Sequence, residues 1–188
     1  GLAIGDSACQ SFVRHSAAPI LDRADEGLFI RAVHSVCHEG GVWRAWYSAG
    51  RAWQMIGELP YPCYEIRYAE SADGVHFPSQ GISCLAPQGR EYRIGRPRVF
   101  SEPDGYGMYF TRGDRDGNYT SGYARSSDGR IWRRHDEAIG ISPSQEGWDS
   151  RALCYATPIT VGRKRYLFYN GNDMGRDGFG YAEEMSPN

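Results

Sequence analysis

At 188 residues the chain is long enough for one substantial core or a short run of repeated units. Thirteen tyrosines, five tryptophans and 24 glycines favour pleated strands joined by tight turns over helices. A formal charge of −2, with acidic and basic residues interspersed, gives no reason to expect nucleic acid or an anionic membrane as partner, and no apolar run approaches the roughly 18 residues of a spanning helix.

The N-terminal text GLAIGDSACQSFVRH carries an acid at position six and no basic, apolar, small-residue progression, so no signal peptide is expected. Cys9, Cys37, Cys63, Cys84 and Cys154 are scattered without a CxxC pair, which reads as free thiols in a reducing, cytoplasmic setting. No window of a dozen residues sustains apolar positions at i, i+3, i+4 and i+7, whereas period-two segments recur. First come an apolar segment FIRAVHSV (29–36), an aromatic strand GVWRAWYSAG (41–50), a Tyr-Ala strand YEIRYAES (64–71), a Ser-x-Asp-Gly turn and Phe77. GRPRVFS (95–101), YGMYFTRG (106–113), YTSGYARS (119–126), a second Ser-x-Asp-Gly turn and Trp132 repeat the order. LCYATPITV (153–161), RYLFYNGN (165–172) and GFGYAEE (178–184) begin it a third time.

A unit of about 60 residues holding four strands is the signature of a β-propeller blade. The expected fold is therefore all-β, about three four-stranded antiparallel blades in one partial propeller domain, with blades at 29–85 and 86–140 and an incomplete blade at 141–188. In the turns, glycine supplies the positive φ while Asp73 and Asp128 bond nearby backbone N–H groups, and Phe77 and Trp132 tuck between sheets. Residues 1–28 supply the final strand of a split blade, because SFVRHSAAPI (11–20) aligns with IWRRHDEAIG (131–140). Three blades cannot close a ring. Either two copies pair about a two-fold axis into a six-bladed ring, a homodimer, or the chain is the later part of a five-bladed propeller.

YEIRYAESADGVHF, EYRIGRPRVF, YTSGYARSSDGRIW, GWDSRALCYATPI and YLFYNGNDMGRDGFGYAEE resemble the five-bladed propeller glycoside hydrolases of the arabinanase, β-xylosidase and invertase type, and most of all their uncharacterised bacterial relatives. The resemblance runs from about Arg31 to Glu184 and covers about the last three blades. It implies a carbohydrate ligand bound in the funnel lined by the innermost strands. The family's base, an aspartate on the first blade's innermost strand, lies outside the matched stretch, so a carbohydrate-binding, glycoside hydrolase-like protein is expected. The alternatives are an active glycosidase using funnel carboxylates across a dimer, and a non-catalytic module that self-associates or binds protein.

Cleavage of an O-glycosidic bond needs two flanking carboxyl groups. Acids at the entrance to each inner strand are Asp25 and Glu26, then Glu91, then Asp149; Glu91 and Asp149 are the catalytic candidates, with solvated loop residues as the alternative. Arg96 and Arg98, at i and i+2 of a strand, face the same way and would bind carboxylate or phosphate, or hold a catalytic acid ionised. His34, Trp148, Tyr155 and Asn170 complete the candidate substrate-binding set. The histidines do not cluster, and neither a metal nor a cofactor is expected.

Overall fold

A computed structural model describes residues 1–185, and its regular structure is almost entirely strand. A short hairpin, β1 (Ala3–Gly5) with β2 (Phe12–Arg14), opens the chain. The first blade is the antiparallel set β3 (Ile30–Glu39), β4 (Val42–Ile56), β5 (Leu59–Ser71) and β6 (Ile82–Leu85). The second is β7 (Glu91–Glu102), β8 (Gly105–Asp114), β9 (Tyr119–Ser126) and β10 (Arg133–Arg134). The third has three strands among the described residues, β11 (Cys154–Val161), β12 (Lys164–Asn170) and β13 (Phe179–Glu183).

The repeated Ser-x-Asp-Gly text builds two copies of one hydrogen-bonded turn. Ser71 Oγ accepts from Gly74 N at 3.0 Å, while Asp73 Oδ1 accepts from Val75 N and His76 N at 2.9 and 2.8 Å. Ser126 Oγ accepts from Gly129 N at 2.9 Å, and Asp128 Oδ1 from Arg130 N and Ile131 N at 2.8 and 2.9 Å. Gly74 and Gly129 hold φ of 74° and 76°, where a side chain would be strained. Both aspartates are therefore turn formers, and the donated hydrogen bonds hold their carboxyls below the usual range.

Blade one packs on blade two through a continuous apolar cluster of Trp46, Ile66, Tyr68, Leu85, Ile94, Met108, Phe110, Ala124 and Trp132. Two indoles converge on one oxygen: Trp46 and Trp132 each donate Nε1–H to the Gly129 carbonyl, at 2.7 and 2.9 Å. Phe77 lies on the other face of blade one, with Leu21, Tyr47, Ala49 and Ala69. Near the axis, Ser35 of β3 donates to Pro97 O and accepts from Val99 N of β7, so the leading strands of the two blades lie side by side. Leu153 O, accepting from Ser121 N at 2.6 Å, fastens the start of the third blade to the second. Farther along the same interface the packing opens into a cavity of about 640 Å³ lined by Tyr109, Tyr123, Arg125 and Leu167.

Within one chain the N-terminal strand does not complete the third blade. Phe12–Arg14 is paired with Ala3–Gly5 instead, because the intervening Asp6 accepts from Ala8 N, Gln10 N and Ser11 Oγ and closes a local hairpin. β13, the edge of its sheet among the described residues, leaves Phe179 and Tyr181 exposed.

Candidate functional site

The acids expected at the three strand entrances occupy related stations, each set against the aromatic residue at the same point of its blade's second strand. Glu26 accepts from Tyr47 Oη at 2.6 Å and Asp149 from Tyr169 Oη at 3.0 Å. In the second blade the aromatic is Phe110, which has no hydroxyl; the guanidinium of Arg134 lies 5.2 Å from that ring's centroid and holds Glu91.

Their surroundings differ sharply. Glu26 is buried and receives Arg31 Nη2 at 2.7 Å, Arg67 Nη1 at 2.9 Å and Gly81 N at 2.7 Å. Burial, together with the hydrogen bond to Glu26, pushes the Tyr47 phenol up to about 12. Glu91 receives a two-pronged Arg134, both contacts at 2.8 Å, plus Arg112 at 3.1 Å and Gln88 N at 2.9 Å. Burial alone would raise the Glu91 carboxyl, but Arg134, the Gln88 N–H and Arg112 outweigh it and leave it below the ordinary carboxylate range. A carboxylate held by two arginines has spent its lone pairs and is a poor proton donor. Glu91 joins β7, β8 and β10, the structural pairing that competes with a catalytic role.

Asp149 is equally buried, yet no arginine or lysine lies within ion-pairing distance among the described residues. Its loop is fixed instead by Asn172, which donates N–H to Trp148 O and Nδ2–H to Gly147 O and accepts from Arg151 N and Ala152 N. Trp148 stacks on Tyr169 at 5.5 Å, and a Cβ at Gly171 would lie 2.4 Å from Trp148 O, so only glycine fits there. The texts GWDSRA and YNGND, far apart in sequence, are thus one folded unit. Asn170 donates to Met174 O at 3.2 Å, shaping the adjoining turn.

Closer to the axis all three inner strands break register at one matching place. Ala32, Gly95 and Cys154 pair with Ser48, Thr111 and Asn170, and Ser35, Arg98 and Thr157 pair with Trp46, Tyr109 and Phe168. Between these rungs two residues oppose one, a bulge in each blade. Two of the bulges hold a non-glycine residue in the left-handed region, Arg96 at φ 55° and Tyr155 at φ 59°. Such a residue costs on the order of 1–2 kcal/mol, and strain of this kind collects at functional sites. Buried hydroxyls of the preceding blade brace both: Ser48 Oγ accepts from Arg96 N at 3.4 Å and Thr111 Oγ1 from Tyr155 N at 3.2 Å.

The bulges bring together what the sequence separates. Arg96 lies over the Tyr155 ring at 4.7 Å, Tyr155 meets Tyr119 edge-on at 5.9 Å, and Arg93 lies over Tyr119 at 4.5 Å. His34 adjoins Arg96, and burial, followed by that positive charge, pushes its imidazole down to about 4. Arg98 does not follow from strand alternation as the neighbour of Arg96, because the bulge between Gly95 and Arg98 cancels the i, i+2 rule. Arg93 and Tyr119 are the members that sequence reasoning missed, although EYRIGRPR displays the arginine openly. Among the described residues no group of three or more His, Cys, Asp or Glu is placed to hold a metal ion.

Antiparallel sheets set side by side through their leading strands are the architecture of the propeller-type glycoside hydrolases, and this chain has that fold. It superposes on a thermostable family-43 glycoside hydrolase with a TM-score of 0.67 at 16% identity, covering 96% of this chain and 60% of that one. Zg3597, a family 117 glycoside hydrolase of the marine bacterium Zobellia galactanivorans, gives 0.66 at 20% identity, covering 84% of this chain and 53% of that one. No family model matches the sequence. The uncharacterised protein Rv1502 of Mycobacterium tuberculosis H37Rv is 32% identical over 184 residues, covering 97% of this chain and 60% of the relative. The chain therefore spans about three-fifths of the curated relatives it matches. Among the described residues no helix is long and apolar enough to cross a membrane.

Proposed function

We propose that this is a carbohydrate-binding, glycoside hydrolase-like propeller protein whose ligand lies against the bulged inner strands, contacted by His34, Arg96 and Tyr155, with Trp148 and Asn170 shaping the rim. The observation that carries this reading is the matched register break in three successive blades, which turns polar and aromatic side chains out of the sheets at one level of the fold. Tyrosine rings offer flat faces to sugar C–H groups, and guanidinium and imidazole groups offer donors to hydroxyls. Titration of the protein with a panel of oligosaccharides tests it: binding to at least one, weakened roughly tenfold by Tyr155→Ala, supports the reading. Sugars that bind equally well to wild type and Tyr155→Ala would remove this surface from the ligand's path.

A second reading, hydrolysis of an O-glycosidic bond, is favoured by Asp149, the buried station acid that no arginine neutralises. Two carboxyl groups are required, about 5 Å or about 6.5–9.5 Å apart. A homodimer would bring a further set of acids to the axis. The exposed edge of β13 and the apolar hairpin carrying Ile4, Phe12 and Val13 are the surfaces suited to such pairing. Turnover of aryl glycosides that survives Asp149→Asn would exclude that residue, and light scattering that finds only monomer would end the dimer proposal. The five unpaired thiols suit a reducing, cytoplasmic environment.

A further inference from the structure

The charged groups along the innermost strand of the middle blade are out of balance. Most arginines on the blades are met by carboxylates, Arg31 and Arg67 by Glu26, Arg112 and Arg134 by Glu91, Arg125 by Glu102 and Arg130 by Glu70, whereas the outward-facing Arg51, Arg98 and Arg133 lie in solvent. Arg93 and Arg96, on the innermost strand of the middle blade, have no carboxylate within ion-pairing distance among the described residues. Their neighbours are rings, Tyr92 and Tyr119 for Arg93 and Tyr155 for Arg96.

β8, paired with β7, brings the charged Arg112 and Asp114, which are engaged by Glu91 and by Asn118 and form no ion pair with Arg93 or Arg96, and β4 brings Ser48; the other elements packed against the pair contribute neutral groups. β3 brings His34, held uncharged at neutral pH; β5 brings Tyr64, whose phenol acts on Tyr119; β9 brings Tyr119; β11 brings Cys154 and Tyr155. Arg93 Nε and His34 Nδ1 are both buried without a hydrogen-bond partner. An orphaned buried donor costs about 1–3 kcal/mol, and tyrosine faces compensate a guanidinium only partly. Arg96 is exposed to incoming ligand while its backbone is held in the strained left-handed region. A site of this kind, cationic, ringed by aromatic faces and hydroxyls, and without a carboxylate in ion-pairing contact, is matched to an anion carried on a sugar.

We infer that Arg93 and Arg96 form a subsite for the anionic substituent of the ligand, either the carboxylate of a uronic acid or a phosphate ester, with the Tyr119 and Tyr155 rings flanking it. The inference rests on the carbohydrate reading and names the class of sugar within it. Guanidinium groups suit both anions because their N–H fork matches two oxygens at once.

Calorimetric titration of the whole chain provides the test, using galacturonic acid oligosaccharides, glucose 6-phosphate, their uncharged counterparts and inorganic phosphate alone. Charged sugars should bind with affinity that falls as salt rises, and Arg96→Gln should weaken them roughly ten- to a hundredfold. Arg96→Lys should restore part of the loss, and Arg163→Gln, on the exposed β11–β12 turn, should change nothing. Preference for the uronate or for the phosphate ester identifies which anion is read. Neutral sugars that bind as tightly as charged ones, with Arg96→Gln without effect, overturn the anion subsite and leave the carbohydrate reading standing. Binding of phosphate alone, lost in Arg96→Gln, with no sugar bound, keeps the anion site and overturns the carbohydrate reading. Absence of binding by every charged probe overturns the inference.

Discussion

Glu26 and Asp149 perform the same handshake, each accepting a hydrogen bond from the tyrosine at one matching point of its blade, yet they live in opposite electrostatic worlds. Glu26 is enclosed by two arginines and a backbone amide; Asp149 has a phenol and a wall of tryptophan. The repeat has thus preserved a position while the charge supplied around it changed. The lesson concerns how far a repeated residue can be read as a repeated role. A buried carboxylate between arginines binds the blade together through paired charges, whereas one without them is held by a neutral hydroxyl alone.

The contrast predicts a graded series. Glu26→Ala leaves Arg31 buried with its charge unmet and should cost about 3–5 kcal/mol in urea unfolding, the largest effect in the set. Glu91→Gln should cost about 2–3 kcal/mol, since Arg134 keeps Asp136 as a second partner. That loss should depend on pH in a defined direction. The folded Glu91 carboxyl sits below its ordinary value of 4.5, so its contribution is present above that value and disappears as pH falls through the depressed one. Wild type and Glu91→Gln should therefore converge in stability on acidification, and a gap that persists at low pH would contradict the clamp.

Asp149→Asn should cost about 1 kcal/mol or less, because an amide oxygen still accepts from Tyr169 and no cation is abandoned. A loss as large as that of Glu26→Ala would mean that the two stations are alike after all. Smallest, and opposite in sign, is Arg96→Gly, which relieves the left-handed backbone and should raise stability by up to about 1 kcal/mol while abolishing anion binding.

Much of the architecture was legible in the text. Alternating aromatic strands, the duplicated Ser-x-Asp-Gly turns and the period of the repeat state a propeller blade, and Trp132 falls between sheets as its place in the repeat requires. The bulges were not legible, because positive φ is normally announced by glycine and here it is taken by Arg96 and Tyr155. Strand alternation then placed Arg96 beside Arg98, when the register break instead sets Arg96 on Tyr155 and into one cluster with Arg93. The three acids looked equivalent for a related reason. What separates Glu91 from Asp149 is Arg112 and Arg134, delivered from other strands, and no local spacing reveals them. The N-terminal strand aligned well with 131–140, yet the local pull of Asp6 on its own loop decides its pairing within one chain.

The Gly129 carbonyl, shared by indoles from two successive blades, makes the molecule its own optical gauge. Trp46 loses this acceptor whenever those sheets part, while Trp132 keeps it within its own turn but loses the cover of the facing blade, so a red shift of intrinsic emission follows the opening of that seam directly, without a dye or a label.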